Sequence, residues 1–256
     1  MNYGMYLSAN GVINDLHRMD VLANNLANAE TPAFKPQSII VQQRDPQRLE
    51  STSVTGDPQW LLERLGGGTF LREVVDFDAP STHSRTNQPM DVAIEGKGFL
   101  VLKSPDEQGA MKLTRNGSMT LDAHGHLVST GGEGLVMDTQ NRPIRLRDDE
   151  PVRIGGDGTI VQSGRTVARL KLVDVKETSN LTPSGGNAFT YSGDPNNLGR
   201  SDARILQGSL EDSGVDPIRM LTEMIKIGRR LESNVKLMQY HDQAMGQAVN
   251  TLGRVT

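Results

Sequence analysis

The sequence has no cysteine, which excludes a disulfide framework, a thiolate-bound zinc and a cysteine nucleophile. No apolar run approaches the roughly 20 residues that a helix needs to span a bilayer, so membrane insertion is not expected. Basic charge is not in excess either. With 27 Lys and Arg against 31 Asp and Glu the net charge is -4, which argues against a nucleic-acid or anionic-membrane footprint. The opening stretch "MNYGMYLSANGVINDLHRMD" lacks the basic and continuous apolar segments of a cleavable signal. The expected chain is therefore either cytoplasmic or exported with its N-terminus intact. Aromatics make up only 4% of the 256 residues, whereas 27 glycines and 12 prolines call for many tight turns and hence a turn-rich β portion.

What is present is organised differently at the ends and in the middle. Met5, Ala9, Val12, Leu16, Met19, Ala23 and Leu26 recur in alternating steps of four and three, the a/d seam of a heptad helix. That helix should stop near Glu30, because Thr31 precedes Pro32 and is pushed out of the α region. The far end repeats the pattern through Leu221, Met224, Gly228, Leu231, Val235, Met238, Asp242, Met245, Val249 and Leu252. Asp216 and Pro217 form an N-cap and N1 pair, so a helix is predicted over 217–252, about 54 Å long. Gly228 and Asp242 interrupt this seam where a simple helical hairpin would prefer Leu. Asn24, Asn25 and Asn28, poor helix formers, point away from the first seam. Both features predict that each helix touches several neighbours rather than only the other, with amides fixing register.

From about Thr69 to Leu206 the texture changes to short alternating runs such as "MKLTR", "SMTLD", "HLVST" and "IRLRD", separated by glycine-bearing turns. Asn116-Gly117 and Asp157-Gly158 read as two-residue hairpin turns. The expected fold class is α+β: two terminal heptad helices forming a coiled-coil or bundle element, and a central all-β domain, a hairpin-rich barrel or sandwich. The expected division is 1–36 for the first helix and its loop, 37–68 for a connector, 69–207 for the β domain and 208–256 for the last helix. Within the connector, Trp60, Leu61, Leu62 and Leu65 suggest a short helix ended by Gly66 to Gly68.

No catalytic signature stands out. There is no Gly-x-Ser-x-Gly, no P-loop and no His-Glu-x-x-His. His124-Gly125-His126 with Asp122 reads as a hairpin tip rather than a metal site, and "GGDG" at Gly155–Gly158 as a turn. No cofactor is expected. Two function classes stay open on the residues alone. One is a self-assembling structural protein built on its terminal helices, and the other is an oligomeric binding or adaptor module whose β domain holds a ligand. The short, aromatic-poor, glycine-broken strands favour the first.

Four stretches carry a resemblance. "SANGVINDLHRMDVLANNLANAETPAFK", "DVAIEGKGFLVL", "LTRNGSMTLDAHGHLVSTGG" and "LEDSGVDPIRMLTEMI" are similar to segments of the bacterial flagellar rod and hook proteins, and together they span nearly the whole chain. Ala33 stands where that family usually has Gly, Gly214 where Asn is common, and Gly228 to Glu232 replace the frequent Gln-Arg-Ala-Tyr-Glu. These departures and the length lie nearer the proximal rod members than the hook or distal rod members. The resemblance implies an axial subunit of a shaft that crosses the periplasm, exported by the flagellar type III apparatus without signal cleavage. Its implied partners are other rod subunits. The implied subunit interface comprises Val12, Leu16, Met19, Ala23, Asn24, Asn25, Leu26 and Asn28 on the first helix, and Leu221, Met224, Leu231, Val235, Met238, Met245 and Val249 on the last.

Overall fold

A computed structural model of the chain describes residues 3–43, 69–104, 111–194 and 197–252. The suggested short helix at Trp60–Leu65 lies outside these residues. The fold is α+β, two long helices at the ends and many antiparallel strands between them. The chain divides into two compact units, one of 1–27, 36–76 and 215–256, the other of 28–35 and 77–214.

The first unit holds α1 (Tyr3–Ala27) and α2 (Pro217–Leu252). α2 has the extent that the sequence predicts, and for the expected reason. Asp216 Oδ1 accepts the backbone N–H groups of Ile218 at 3.0 Å and Arg219 at 3.1 Å, satisfying donors that a helix start leaves open. α1 ends three residues earlier than Glu30, in a turn where Asn28 O accepts Thr31 N–H at 3.1 Å. Thr69–Val75, where the sequence reading begins the β domain, pairs antiparallel with Gln37–Gln43, Gln37 opposite Val75 and Gln43 opposite Thr69. A two-stranded ribbon is marginal alone. This one is tied to α1 at both ends, through Asn25 to Gln37 and through Asn14 Nδ2 to Thr69 Oγ1 at 2.8 Å.

Among its described residues the second unit is built of strands and turns, with a 3-10 turn at Thr178–Asn180. A nine-stranded sheet is built around Phe99–Lys103, which pairs with Met111–Thr114, Leu135–Val136 and Leu172–Asp174. Val152–Ile154, Thr159–Gln162 and Arg165–Arg169 form a three-stranded sheet. Val92–Glu95 pairs with Arg204–Gln207, and His83–Arg85 with Ser209–Glu211. The core is aliphatic, with Ile94, Leu100, Leu102, Leu127, Ile144 and Ile160 almost fully buried. Three of the few aromatics, Phe77, Phe99 and Phe189, meet edge to face with centroids 5.0 to 6.2 Å apart.

The two hairpin signals part company. Asp157-Gly158 does turn between paired strands, with Gly158 at φ +83°. Asn116-Gly117 does not: the strand before it, Met111–Thr114, and the strand after it, Met119–Leu121, take other partners. Here glycine is needed for closeness, since a Cβ on Gly117 would fall 1.8 Å from the Val92 carbonyl oxygen. His124 and His126 sit in the turn between Met119–Leu121 and Leu127–Ser129, where Asp122 Oδ1 accepts both their backbone N–H groups. Those bonds, that from His126 foremost, hold the Asp122 carboxyl below its usual range.

Candidate functional site

The candidate site is the helix pair and its exposed flanks. α1 and α2 run antiparallel, because Gly11 lies beside Asn234, Asp15 beside Arg230, and Met19 beside Gly228. Glycine eases the approach at the first of these levels, where a Cβ on Gly11 would stand 3.1 Å from Asn234 Nδ2, whereas a Cβ on Gly228 would meet Met19 Cε at an ordinary 3.9 Å. Asp15, 5% exposed, is gripped by the Arg230 guanidinium at 2.7 and 3.1 Å and by Asn234 Nδ2 at 3.3 Å. Such a two-pronged charged contact fixes the register of the pair. The helices therefore do pair with one another, the arrangement that the sequence reading ranked below contacts with several neighbours.

The pairing uses positions on and beside the predicted seam: Met19 and Gly228 belong to it, whereas Gly11, Asp15, Arg230 and Asn234 flank it. Of the seam residues, Val12, Met19, Leu26, Met224, Leu231 and Met238 are half-buried. Leu16, Ala23, Leu221, Val235, Met245 and Val249 are exposed, Leu16 at 48% and Val249 at 64%. Ile13, Ile218, Ile225, Leu237 and Tyr240 are exposed as well. The register brings the start of α1 level with about residue 242 of α2, so roughly 15 Å of α2 extends beyond it. Met245 and Val249 lie on that overhang and continue the paired face with no α1 opposite them.

The three asparagines take separate roles. Asn25 is 1% exposed, and its carboxamide donates to Gln37 O at 2.7 Å and accepts from Gln37 N–H at 2.9 Å. It imitates a strand neighbour and starts the ribbon, so its carboxamide is paired within the chain. Asn28 caps the turn after α1, its Oδ1 accepting from Thr31 Oγ1 at 3.1 Å and its carbonyl from Ser213 Oγ at 3.0 Å. Asn24 is exposed. Asn25→Ala is expected to destabilise the protein by about 1 to 3 kcal/mol, because both Gln37 backbone groups lose their partner and the better helix propensity of Ala returns only about 0.5 kcal/mol. Urea unfolding checks this, and equal or greater stability of the variant would reject it.

A second construction lies in the strand unit, where residues 28–35 are clasped. Ala33 adopts φ +56° and is 2% exposed, so the left-handed conformation expected of a glycine is held here by alanine. Its N–H donates to Glu211 O at 2.7 Å, Asn187 Nδ2 donates to Pro32 O at 2.6 Å, and Gly214 N–H to Phe34 O at 2.9 Å. Beneath the loop Glu211, 1% exposed, accepts from Lys35 Nζ and Arg115 Nε at 2.9 Å and from Ser81 Oγ at 2.6 Å. Burial pushes the Glu211 carboxyl up, but Arg115, Ser81 and Lys35 outweigh it and hold the group below its usual value. The periodicity of the sequence carries no trace of this node, because its members are single polar residues far apart in the chain.

The strand unit also has a cleft of about 770 Å³ lined by Arg169, Lys171, Arg200 and Arg204 over Leu170, Leu172 and Val173. Asp157 neutralises Arg169 at 3.4 Å. Asp202 lines the cleft as well, so its four cations outnumber its two carboxylates by two, a balance suited to an anionic partner.

Comparison with known proteins covers these same parts. The model "Flagella basal body rod protein" matches residues 5–35, "Flagellar hook protein FlgE/F/G D1 domain" matches 93–162, and "Flagellar basal body rod FlgEFG protein C-terminal" matches 206–251. Flagellar basal-body rod protein FlgF of Caulobacter vibrioides is 27% identical over 255 residues, 100% of both chains. FlgF of Salmonella typhimurium is 28% identical over 266 residues, 97% of each chain. Flagellar basal-body rod protein FlgG of Buchnera aphidicola is 28% identical over 256 residues, 94% of this chain and 96% of its own. Both helices, the clasped loop and the strand unit are thus shared with one set of proteins, and the chain belongs to the flagellar basal-body rod and hook protein family.

Proposed function

We propose that this protein is a structural subunit of the flagellar basal-body rod, that it joins the shaft through its terminal helices, and that it catalyses nothing. The observation that carries the reading is the set of large apolar residues that the helix pair leaves exposed. After α1 and α2 have satisfied each other, Leu16, Leu221, Val235, Met245 and Val249 stay exposed, together with Ile13 and Ile225. Large apolar side chains left exposed in this number along a helix pair mark a contact with other chains. In this reading Val12, Leu16, Met19, Ala23, Asn24, Asn25, Leu26 and Asn28, with Leu221, Met224, Leu231, Val235, Met238, Met245 and Val249, form or support the interface with neighbouring rod subunits. Segments 1–36 and 208–256 supply the axial core, 37–68 the connector and 69–207 the β domain. The shaft location in the periplasm, delivery by the type III export apparatus and the transmission of torque belong to the same proposal. Torque transmission requires no reactive group, only a densely packed array in which many small contacts resist shear together.

The test is to purify basal bodies from cells whose only copy of the protein carries a small internal tag. Label on the rod, and loss of swimming when the gene is deleted, are expected. Intact rods and swimming without the protein would overturn the reading. The cationic cleft favours one alternative, an adaptor whose β domain holds an anionic partner. That reading is supported if Lys171→Glu and Arg200→Glu abolish motility while leaving the protein in the rod.

A further inference from the structure

The strand unit carries a buried acid that neither the clasp nor the helix interface uses. Glu133 lies in the turn between Leu127–Ser129 and Leu135–Val136 and is 5% exposed. Its Oε2 accepts the Ser129 hydroxyl at 2.8 Å, while Oε1 is buried without a hydrogen-bond partner. Two glycines wall the group in. A Cβ on Gly131 would stand 3.1 Å from Oε1, and a Cβ on Gly186 would stand 3.2 Å from Glu133 Cγ. Gly186 belongs to the turn between Leu181–Pro183 and Ala188–Tyr191, so the side chain is pressed between two turns that are far apart in sequence.

An ionised carboxylate with one oxygen desolvated and unpaired costs far more to bury than the neutral acid does. Burial accordingly pushes the Glu133 carboxyl above its usual value, which the Ser129 hydroxyl and the charge of Lys112 offset only in part. Among the described residues Lys112, on Met111–Thr114, is the charged group acting on it. The turns carrying Gly131 and Gly186 bring no charge to it.

We propose that Glu133 is a proton-dependent brace between the Thr130–Gly134 and Ser184–Asn187 turns. With its proton, the carboxyl fits the gap and joins the turns. Without it, the stranded charge works against their contact. The sign follows from linkage: an acid that holds its proton more tightly when folded contributes fully below its unfolded value, and the contribution is lost as pH rises through the folded value.

The test uses the full chain and urea unfolding from about pH 4 to about pH 8. Relative to Glu133→Gln, the wild-type folding constant is expected to fall severalfold as pH rises across this range. Ser129→Ala, which removes the one direct hydroxyl donor to the anion, is expected to widen the gap. Should Glu133→Gln not fold, the assigned carbon-13 carboxyl resonance of Glu133 in the wild type decides, and titration above the ordinary glutamate value of 4.5 is expected. A wild-type to Glu133→Gln ratio constant with pH, or titration of Glu133 at or below 4.5, would overturn the proposal.

Discussion

Glu211→Leu is expected to lower stability by about 3 to 5 kcal/mol, the usual cost of removing one partner from a buried ion pair. The side chains of Lys35 and Glu211 are only 4% and 1% exposed, so the Lys35 ammonium would be left in the interior with the Ala79 carbonyl, at 3.3 Å, as its remaining partner. Arg115 suffers less, because its guanidinium also donates to the carbonyls of Ile94, Gly96 and Gly98 at 3.0 to 3.2 Å. Glu211→Gln keeps an acceptor in place and should cost less. Removing both charges in Lys35→Met/Glu211→Leu should recover part of the loss, since the pair's desolvation is then removed along with its attraction. The pH dependence has the opposite sign to that of Glu133. The carboxyl of Glu211 lies below 4.5 in the folded chain, so its contribution is complete above that value and is lost as pH falls through the folded pKa. Urea unfolding at neutral and acid pH measures both effects. A loss below about 1 kcal/mol for Glu211→Leu would show that the clasp is dispensable.

Leu16→Asp and Leu221→Asp are expected to leave the subunit folded and to keep it out of the rod. Both side chains are about half exposed in the single chain, and substitutions at such positions usually change stability by no more than about 0.5 kcal/mol. Against a neighbouring subunit the arithmetic differs. Each leucine fully removed from water contributes about 1.5 to 3 kcal/mol, and an aspartate in its place must also be desolvated. One such change weakens a contact by tenfold to more than a hundredfold, and in a repeating assembly every copy carries it. Leu231→Asp is the contrasting case, because Leu231 lies on the paired face and its loss should reduce helix content as well as incorporation. Circular dichroism, recovery of the subunit in purified basal bodies and swimming provide the readouts. Wild-type incorporation of Leu16→Asp and Leu221→Asp would place the interface elsewhere on the molecule.

Much of the architecture is written in local pattern. The bounds of α2 follow from Asp216, Pro217 and an apolar repeat running to Leu252, all of which act within a turn or two of the chain. The β character of the middle follows from alternation and glycine turns, and the turn at Asp157-Gly158 from the preference of glycine for positive φ. These are properties of neighbouring residues, so the sequence alone suffices to read them.

Tertiary structure decided whatever depends on residues meeting across long separations. The heptad seam predicted that a helix has an apolar stripe, but not which stripe its own partner would take. Asp15, Arg230 and Asn234 settle that by a charged contact between residues more than 200 positions apart, and so leave Leu16 and Leu221 on the outside. Asn25 reads as a misplaced helical polar residue until the Gln37 backbone arrives beside it. Gly117 reads as a hairpin signal until Val92 occupies the space its side chain would need. Lys35, Arg115 and Glu211 carry no periodic signal at all. Periodicity reports the faces an element has, whereas the choice among those faces is made by the packing energy of the assembled chain.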